Sequence, residues 1–186
     1  VGTTNRTRVG DFEQAIADGA SVLLVAHQSN FKIIGFTEEP SLEELANLAH
    51  RHNLPLIVDL GSGALLDTAK YGLTHETTVQ ETLSKGADLV CFSGDKLMGG
   101  PQSGILVGQS VLLTKIRRHP LYRAIRADKL CLAALSATLD QYLRGKAEME
   151  IPLYQMLSRT PADHKIQARS WMDRLPTGRM LDGLST

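Results

Sequence analysis

Residues 88–104, DLVCFSGDKLMGGPQSG, run an apolar segment of strand length straight into a turn of glycines that carries one lysine, Lys96, behind an aspartate, Asp95. A strand that is apolar on consecutive residues, with no polar alternation, is the pattern of a parallel sheet rather than of a half-exposed hairpin. The lysine at its end has three readings: ordinary turn chemistry, a phosphate cradle, or an amine held ready for covalent catalysis.

Working outward, the same pattern recurs. VLLVA (22–26) is a short apolar run ending in His27-Gln28-Ser29-Asn30, and LIVDLGSG follows Pro55 and breaks at glycines. Between them SLEELANLAHRHN carries Ser41 and Glu44 in the spacing of a capping box, with apolar residues at 42, 45, 46 and 49, which predicts a helix over 42–52. A second box, Thr78 with Glu81, opens a predicted helix over 79–85 that Gly86 closes. GILVG (104–108) is one more strand. Strands alternating with helices make an α/β unit around a mostly parallel sheet flanked by helices. Polar clusters then fall at three strand ends: 27–30, 59–62 and 93–96. Ligands of open parallel sheets bind outside the carboxyl ends of the strands, so all three clusters are expected to face one crevice.

After residue 110 the pattern becomes helical. SVLLTKIRRH runs to Pro120, and ADKLCLAALSATLDQYL predicts a long helix. From 115 to 129, KIRRHPLYRAIRADK sets six cations against Asp128 alone. Beyond 150 the periodicity weakens. The expected division is a partial large domain over 1–145, then a linker and the start of a smaller C-terminal domain over 146–186. The ends read as those of a fragment or processed chain.

The 186 residues are 42% hydrophobic and 22% charged with a formal net charge of zero, so global electrostatics gives no case for nucleic acid. Two cysteines without CxxC spacing fit a reducing compartment, and no apolar run reaches the ~20 residues of a membrane span. GSGALL (61–66) lacks the third small residue of a dinucleotide fingerprint, and the lysine of GDKLMGG precedes its glycines, unlike a P-loop. The histidines are scattered, and no metal site is expected. Cys91 is read as a small core residue, while Tyr71 and His75 are assigned nothing.

Asp59 and Lys96 remain, each just past a buried strand. A partly desolvated lysine forms a Schiff base with a carbonyl cofactor. Pyridoxal phosphate also needs a carboxylate against its ring nitrogen, and hydroxyl and N–H donors for its phosphate, which Ser93 and Gly94 offer. On spacing alone, a turn-closing Asp and a solvated Lys remain the plainer reading.

The longer string changes that balance. VGTTNRT, HQSNFKIIGFTEEPSLEELANLA, DLGSGALLD, YGL, SGDKLMGGPQSGILVG and HPLYRAIRADKLCLAAL together resemble the bacterial selenocysteine synthases, L-seryl-tRNA(Sec) selenium transferases, within the fold-type-I pyridoxal-phosphate enzymes. The resemblance covers about residues 1–145. It implies a fold-type-I large domain in which Lys96, 37 residues after Asp59 (96 − 59), carries pyridoxal 5'-phosphate covalently. It further implies that Asp59 pairs with the ring nitrogen, that Ser93 binds the cofactor phosphate, and that Ser62 and Asn30 lie near the ring. Asp95 is then a candidate acid, and Arg123 with Arg126 sit on one helix face suited to an anionic selenium donor, selenophosphate.

The implied activity converts seryl-tRNA(Sec) to selenocysteinyl-tRNA(Sec) in the cytoplasm, by a homo-oligomer with active sites between subunits and with neither DNA nor membrane as partner. The alternatives are another fold-type-I lyase or desulfurase-like enzyme acting on a small amino acid, and an inactive fragment.

Overall fold

The structure, a computed structural model, describes residues 1–28, 33–175 and 177. Two compact units divide it, Val1–Leu139 and Asp140–Thr186.

The first unit is built on a four-stranded sheet in the order β1 (Leu23–Ala26), β2 (Leu56–Gly61), β3 (Leu89–Ser93), β4 (Gly104–Gly108). β1, β2 and β3 are parallel, as the apolar runs require; β4 is antiparallel to β3. Chain length explains the exception. The parallel crossovers carry helices α2 (Leu42–Arg51) and α3 (Val79–Ser84), whereas only residues 94–103 join β3 to β4. A parallel return needs a dozen or more residues, so this connection can only fold back.

Both capping boxes form as the sequence indicates. Glu44 N–H donates to Ser41 Oγ at 3.2 Å and Ser41 N–H to Glu44 Oε2 at 2.8 Å. Thr78 and Glu81 repeat the exchange at 3.2 and 2.7 Å. α2 buries Leu45, Ala46, Leu48 and Ala49 and packs on β2, while α3 packs on β3. A first helix, α1 (Val9–Ala17), gave no capping signal because Arg8 occupies the N-cap; Asp11 instead accepts from Arg8 N–H at 2.7 Å.

Burial alternates although the sequence does not. Leu56, Val58 and Leu60 are buried beneath the helices, while Asp59 is exposed on the opposite face. Leu24 and Leu106 share that outer face, 60% and 42% exposed. Their apolar character reads as a two-sided strand, yet within this chain helices α2 and α3 cover the inner face and leave these residues open.

At the far end of the sheet Asp88 is buried and collects donors from β2, from α2 and from the link between β4 (ending at Gly108) and the next helix. Leu56 N–H reaches it at 2.7 Å, His50 Nε2 lies at 3.1–3.2 Å, and Gln109 Nε2 completes the set.

The long helix α6 (Lys129–Leu143) follows α4 (Ser110–Arg118) and α5 (Pro120–Ala124), and the division between units falls inside it. In the second unit, α7 (Ala147–Glu150), α8 (Pro152–Leu157) and α9 (Pro161–Met172) follow. Tyr154 is 1% exposed and meets Tyr142 edge-to-face at 6.2 Å, with a hydroxyl–hydroxyl bond of 3.2 Å.

Candidate active site

Strand polarity brings the polar ends of β1, β2 and β3 to one edge of the sheet. His27 N–H donates to the Asp59 carbonyl at 2.8 Å, which ties the end of β1 to β2. Asp59 pairs in register with Cys91, after which β2 bulges, so that Gly61 and not Leu60 faces Phe92. Gly61 has φ +66, the left-handed region that suits a residue without Cβ. The bulge turns the chain outward, and Ser62 N–H closes on the Leu60 carbonyl at 2.7 Å.

The lysine turn is then fixed against this bulge. Leu97 N–H donates to the Ser62 carbonyl at 2.9 Å, Gly94 N–H to Ser103 at 2.9 Å, Gly99 N–H to Lys96 at 2.8 Å and Gly100 N–H to Gly94 at 2.8 Å. Met98 is fully buried beneath it. Gly63 has φ +67, and a methyl there would collide with the Ser93 carbonyl; one at Gly94 would strike Ser103 Oγ. Gly63 lets the aspartate turn and the lysine turn press together, and Gly94 lets the lysine turn close on itself.

Lys96 and Asp95 are exposed on the crest of this turn, Ser93 is half-buried at its base, and Asp59 is exposed on the outer face of the sheet. Ser62 is 5% exposed, and its Oγ has no hydrogen-bond partner among the described residues. Asn30 lies outside the described residues.

The arginines depart from expectation. Arg123 lies in the last turn of α5, but Arg126 lies past that helix, so the two do not share a helical face. Pro120 starts a new five-residue helix whose first turn is capped by His119 Nδ1, accepting from Leu121 N–H at 3.2 Å. The chain is released at Ile125, because Asp128 opens α6 by accepting from Cys131 N–H at 2.9 Å. α6 leans on the lysine turn: the Cys131 thiol donates to the Gln102 carbonyl at 3.4 Å, and Thr138 lies beside Gly100.

Two groups escaped the sequence reading. Cys91 is half-buried in register with Asp59, and burial first, then the charge of Asp59, pushes its thiol above the ordinary range. Only the strand register reveals that neighbour. His75 lies between two carboxylates, with Nδ1 2.8 Å from Asp67 and Nε2 3.3 Å from Glu81, and the Asp67 hydrogen bond raises its pKa. Its spacing of eight from Asp67 follows no helical or strand period. A cavity of about 550 Å³ opens on the inner face of the sheet, among Val25, Val58, Leu45 and the 74–77 loop, away from Asp59. Among the described residues, no group of three metal ligands occurs, and no helix is long and apolar enough to cross a membrane.

Comparison with known proteins follows the same line. The sequence model of the L-seryl-tRNA selenium transferase family matches residues 1–181. An L-seryl-tRNA(Sec) selenium transferase of Alkaliphilus metalliredigens is 53% identical over 159 residues, 85% of this chain and 34% of that protein. One from Clostridium botulinum is 49% identical over 176 residues, 94% of this chain and 38% of that protein. The chain thus spans about a third of the length of these curated relatives.

Among solved structures, D-glucosaminate-6-phosphate ammonia-lyase matches with a TM-score of 0.65 at 22% identity, covering 91% of this chain and 40% of the lyase. A methionine gamma lyase from Micromonospora echinospora gives 0.52 at 17%, covering 74% and 35%. At these identities they speak to fold alone, and the fold is the fold-type-I arrangement expected from the sequence.

Proposed function

The chain belongs to the L-seryl-tRNA selenium transferase family, and on that footing we propose that it supplies the cofactor and substrate groups for converting seryl-tRNA(Sec) to selenocysteinyl-tRNA(Sec). Family membership favours this over a lyase or desulfurase acting on a free amino acid. The observation that carries the reading is the clasp between the aspartate and lysine turns, Leu97 N–H on the Ser62 carbonyl at 2.9 Å.

The residues at this edge suit pyridoxal phosphate: a free lysine amine, a carboxylate on the next strand, and two hydroxyls, one of them orphaned. When bound, the cofactor supplies a carbonyl for amines and a ring that draws electrons from the substrate Cα. Lys96 would hold it covalently, Asp59 would keep the ring nitrogen protonated, and Ser93 and Ser62 would donate to its oxygens, with Asn30 beside the ring. Lys96 Nζ takes the proton from the seryl Cα. Asp95 gives a proton to the departing Cβ hydroxyl, which leaves as water. Arg123 and Arg126 hold selenophosphate through charge-assisted hydrogen bonds. A Cβ–O bond is exchanged for a Cβ–Se bond, the Se–P bond of selenophosphate breaks with water taking the phosphoryl group away as phosphate, and Lys96 returns the proton to Cα.

The remainder of the proposal follows the family. Residues 1–145 form part of the cofactor-binding domain and 146–186 lead into a C-terminal domain, in a cytoplasmic homo-oligomer whose active sites lie between subunits.

The test is production of selenocysteinyl-tRNA from seryl-tRNA and selenophosphate by the pyridoxal-phosphate-loaded protein. Product that disappears in Lys96→Ala supports the reading. Turnover of free serine with none of seryl-tRNA would overturn it in favour of a lyase.

A further inference from the structure

The most lopsided charge in the molecule lies beside this site. Residues 115–129 hold six cations and one acid, a net of +5, while the whole chain balances 20 against 20, leaving the other 171 residues at −5. Lys115, Arg117, Arg118, Arg123, Arg126 and Lys129 are all exposed. None of the six makes an ion pair among the described residues. Elsewhere on this surface arginines do find acids: Arg8 with Glu38 at 3.0 Å and Arg144 with Asp140 at 2.8 Å. Cations in the last turn of α4 complement its helix dipole, but that accounts for none of the three beyond the helix.

Topology carries these cations toward the lysine turn. β4 runs away from that turn, since Gly104 pairs with Ser93 and Gly108 with Leu89. Only Gln109 separates β4 from α4, and α4 packs back on β4, so its basic last turn returns toward the starting edge of the strand. Arg126 and Lys129 lead directly into the turn of α6 whose Cys131 thiol bonds the Gln102 carbonyl. The strip thus runs along β4 and ends beside the Lys96 turn.

We propose that Lys115, Arg117, Arg118 and Lys129 form a track for the phosphate backbone of RNA, which brings the aminoacylated end of a tRNA to the lysine turn. This rests on the tRNA reading of the site and adds to it a surface and its residues. Unpaired, exposed cations of mixed Lys and Arg suit a repeating phosphate charge and need no base contact. Lys115 and Arg118, three apart on α4, share a face and can take neighbouring phosphates.

The experiment measures binding of labelled tRNA to this chain across a salt series. Lys115→Gln/Arg117→Gln/Arg118→Gln should weaken binding at low salt at least about tenfold. It should also flatten the plot of log affinity against log salt by about 2–3, since each lost phosphate contact removes roughly 0.7–0.9 from the slope. Lys129→Gln alone should flatten it by about 1. Circular dichroism checks that each variant stays folded; should the triple variant unfold, Lys129→Gln decides. Variants with unchanged affinity and slope overturn the proposal while leaving the tRNA reading standing on another surface. Changed sedimentation with unchanged RNA binding overturns it in favour of a subunit contact. If the wild-type chain binds no tRNA at all, the track and the tRNA reading fall together.

Discussion

Leu97 N–H and the Ser62 carbonyl meet at 2.9 Å, and through that one bond the turn that carries Lys96 is fastened to the turn that follows Asp59. The relative placement of amine and carboxylate is therefore a property of the backbone. A side chain that would disturb it is excluded at Gly63.

Gly63→Ala tests that fastening. The substitution puts a side chain at φ +67 and drives its methyl into the Ser93 carbonyl, which should cost at least about 2 kcal/mol. Urea denaturation should show the loss, and pyridoxal-phosphate affinity should fall with it. An alanine variant as stable as the wild type would mean the two turns are not pressed together.

Ser62→Ala separates stability from binding. A buried hydroxyl without a partner costs about 1–3 kcal/mol, so its removal should leave the cofactor-free chain as stable as before or slightly more so. The same variant should bind pyridoxal phosphate more weakly, read by absorbance titration. Equal affinity would remove Ser62 from the cofactor site.

Asp88→Ala strikes the opposite end of the sheet. It strands the Leu56 N–H and the donors of His50 and Gln109, and should cost about 3 kcal/mol. Asp88→Asn should recover part of it, because its carbonyl oxygen can still accept from Leu56 N–H. Thermal unfolding of the three proteins gives the order.

His75 makes stability depend on pH. Its pKa is raised in the folded chain, chiefly by the Asp67 hydrogen bond, so its contribution is complete below about pH 6.5 and is lost as pH rises through the raised value. Asp67 is held below the carboxylate range by His75 first, and Glu81 by Thr78 N–H first with His75 adding to it. Their contributions are present above the ordinary carboxylate pKa and fade as pH falls through the lowered values. Melting temperature should therefore decline on both sides of a plateau near pH 5–6.5, and His75→Gln should flatten the alkaline decline. An unchanged profile would show the clasp to be fully screened by solvent.

The legible parts of this fold are those written in local chemistry. Ser41 with Glu44 and Thr78 with Glu81 announced two helices, and apolar runs closed by Asp59 and Lys96 announced strands with a polar edge. What stayed hidden depends on pairing across the chain. The antiparallel direction of β4 follows from its ten-residue connection, a matter of length rather than residue type. The neighbourhood of Cys91 and Asp59 exists only in the β2–β3 register, and the His75 clasp only once the 72–78 loop closes. Arg123 and Arg126 misled because a spacing of three suggests one helix face, whereas the helix that Pro120 starts ends at Ala124 and Arg126 falls in the connection before Asp128 opens α6.

The central claim is that Lys96 anchors the cofactor, and trapping the linkage tests it most directly. The 186-residue chain is titrated with pyridoxal phosphate, reduced with borohydride, digested, and the pyridoxyl-bearing peptide sequenced by mass spectrometry. The account predicts one modified lysine, Lys96, at one label per chain, with the label gone in Lys96→Ala. Labels spread over other lysines, or a chain that takes up none, would contradict it.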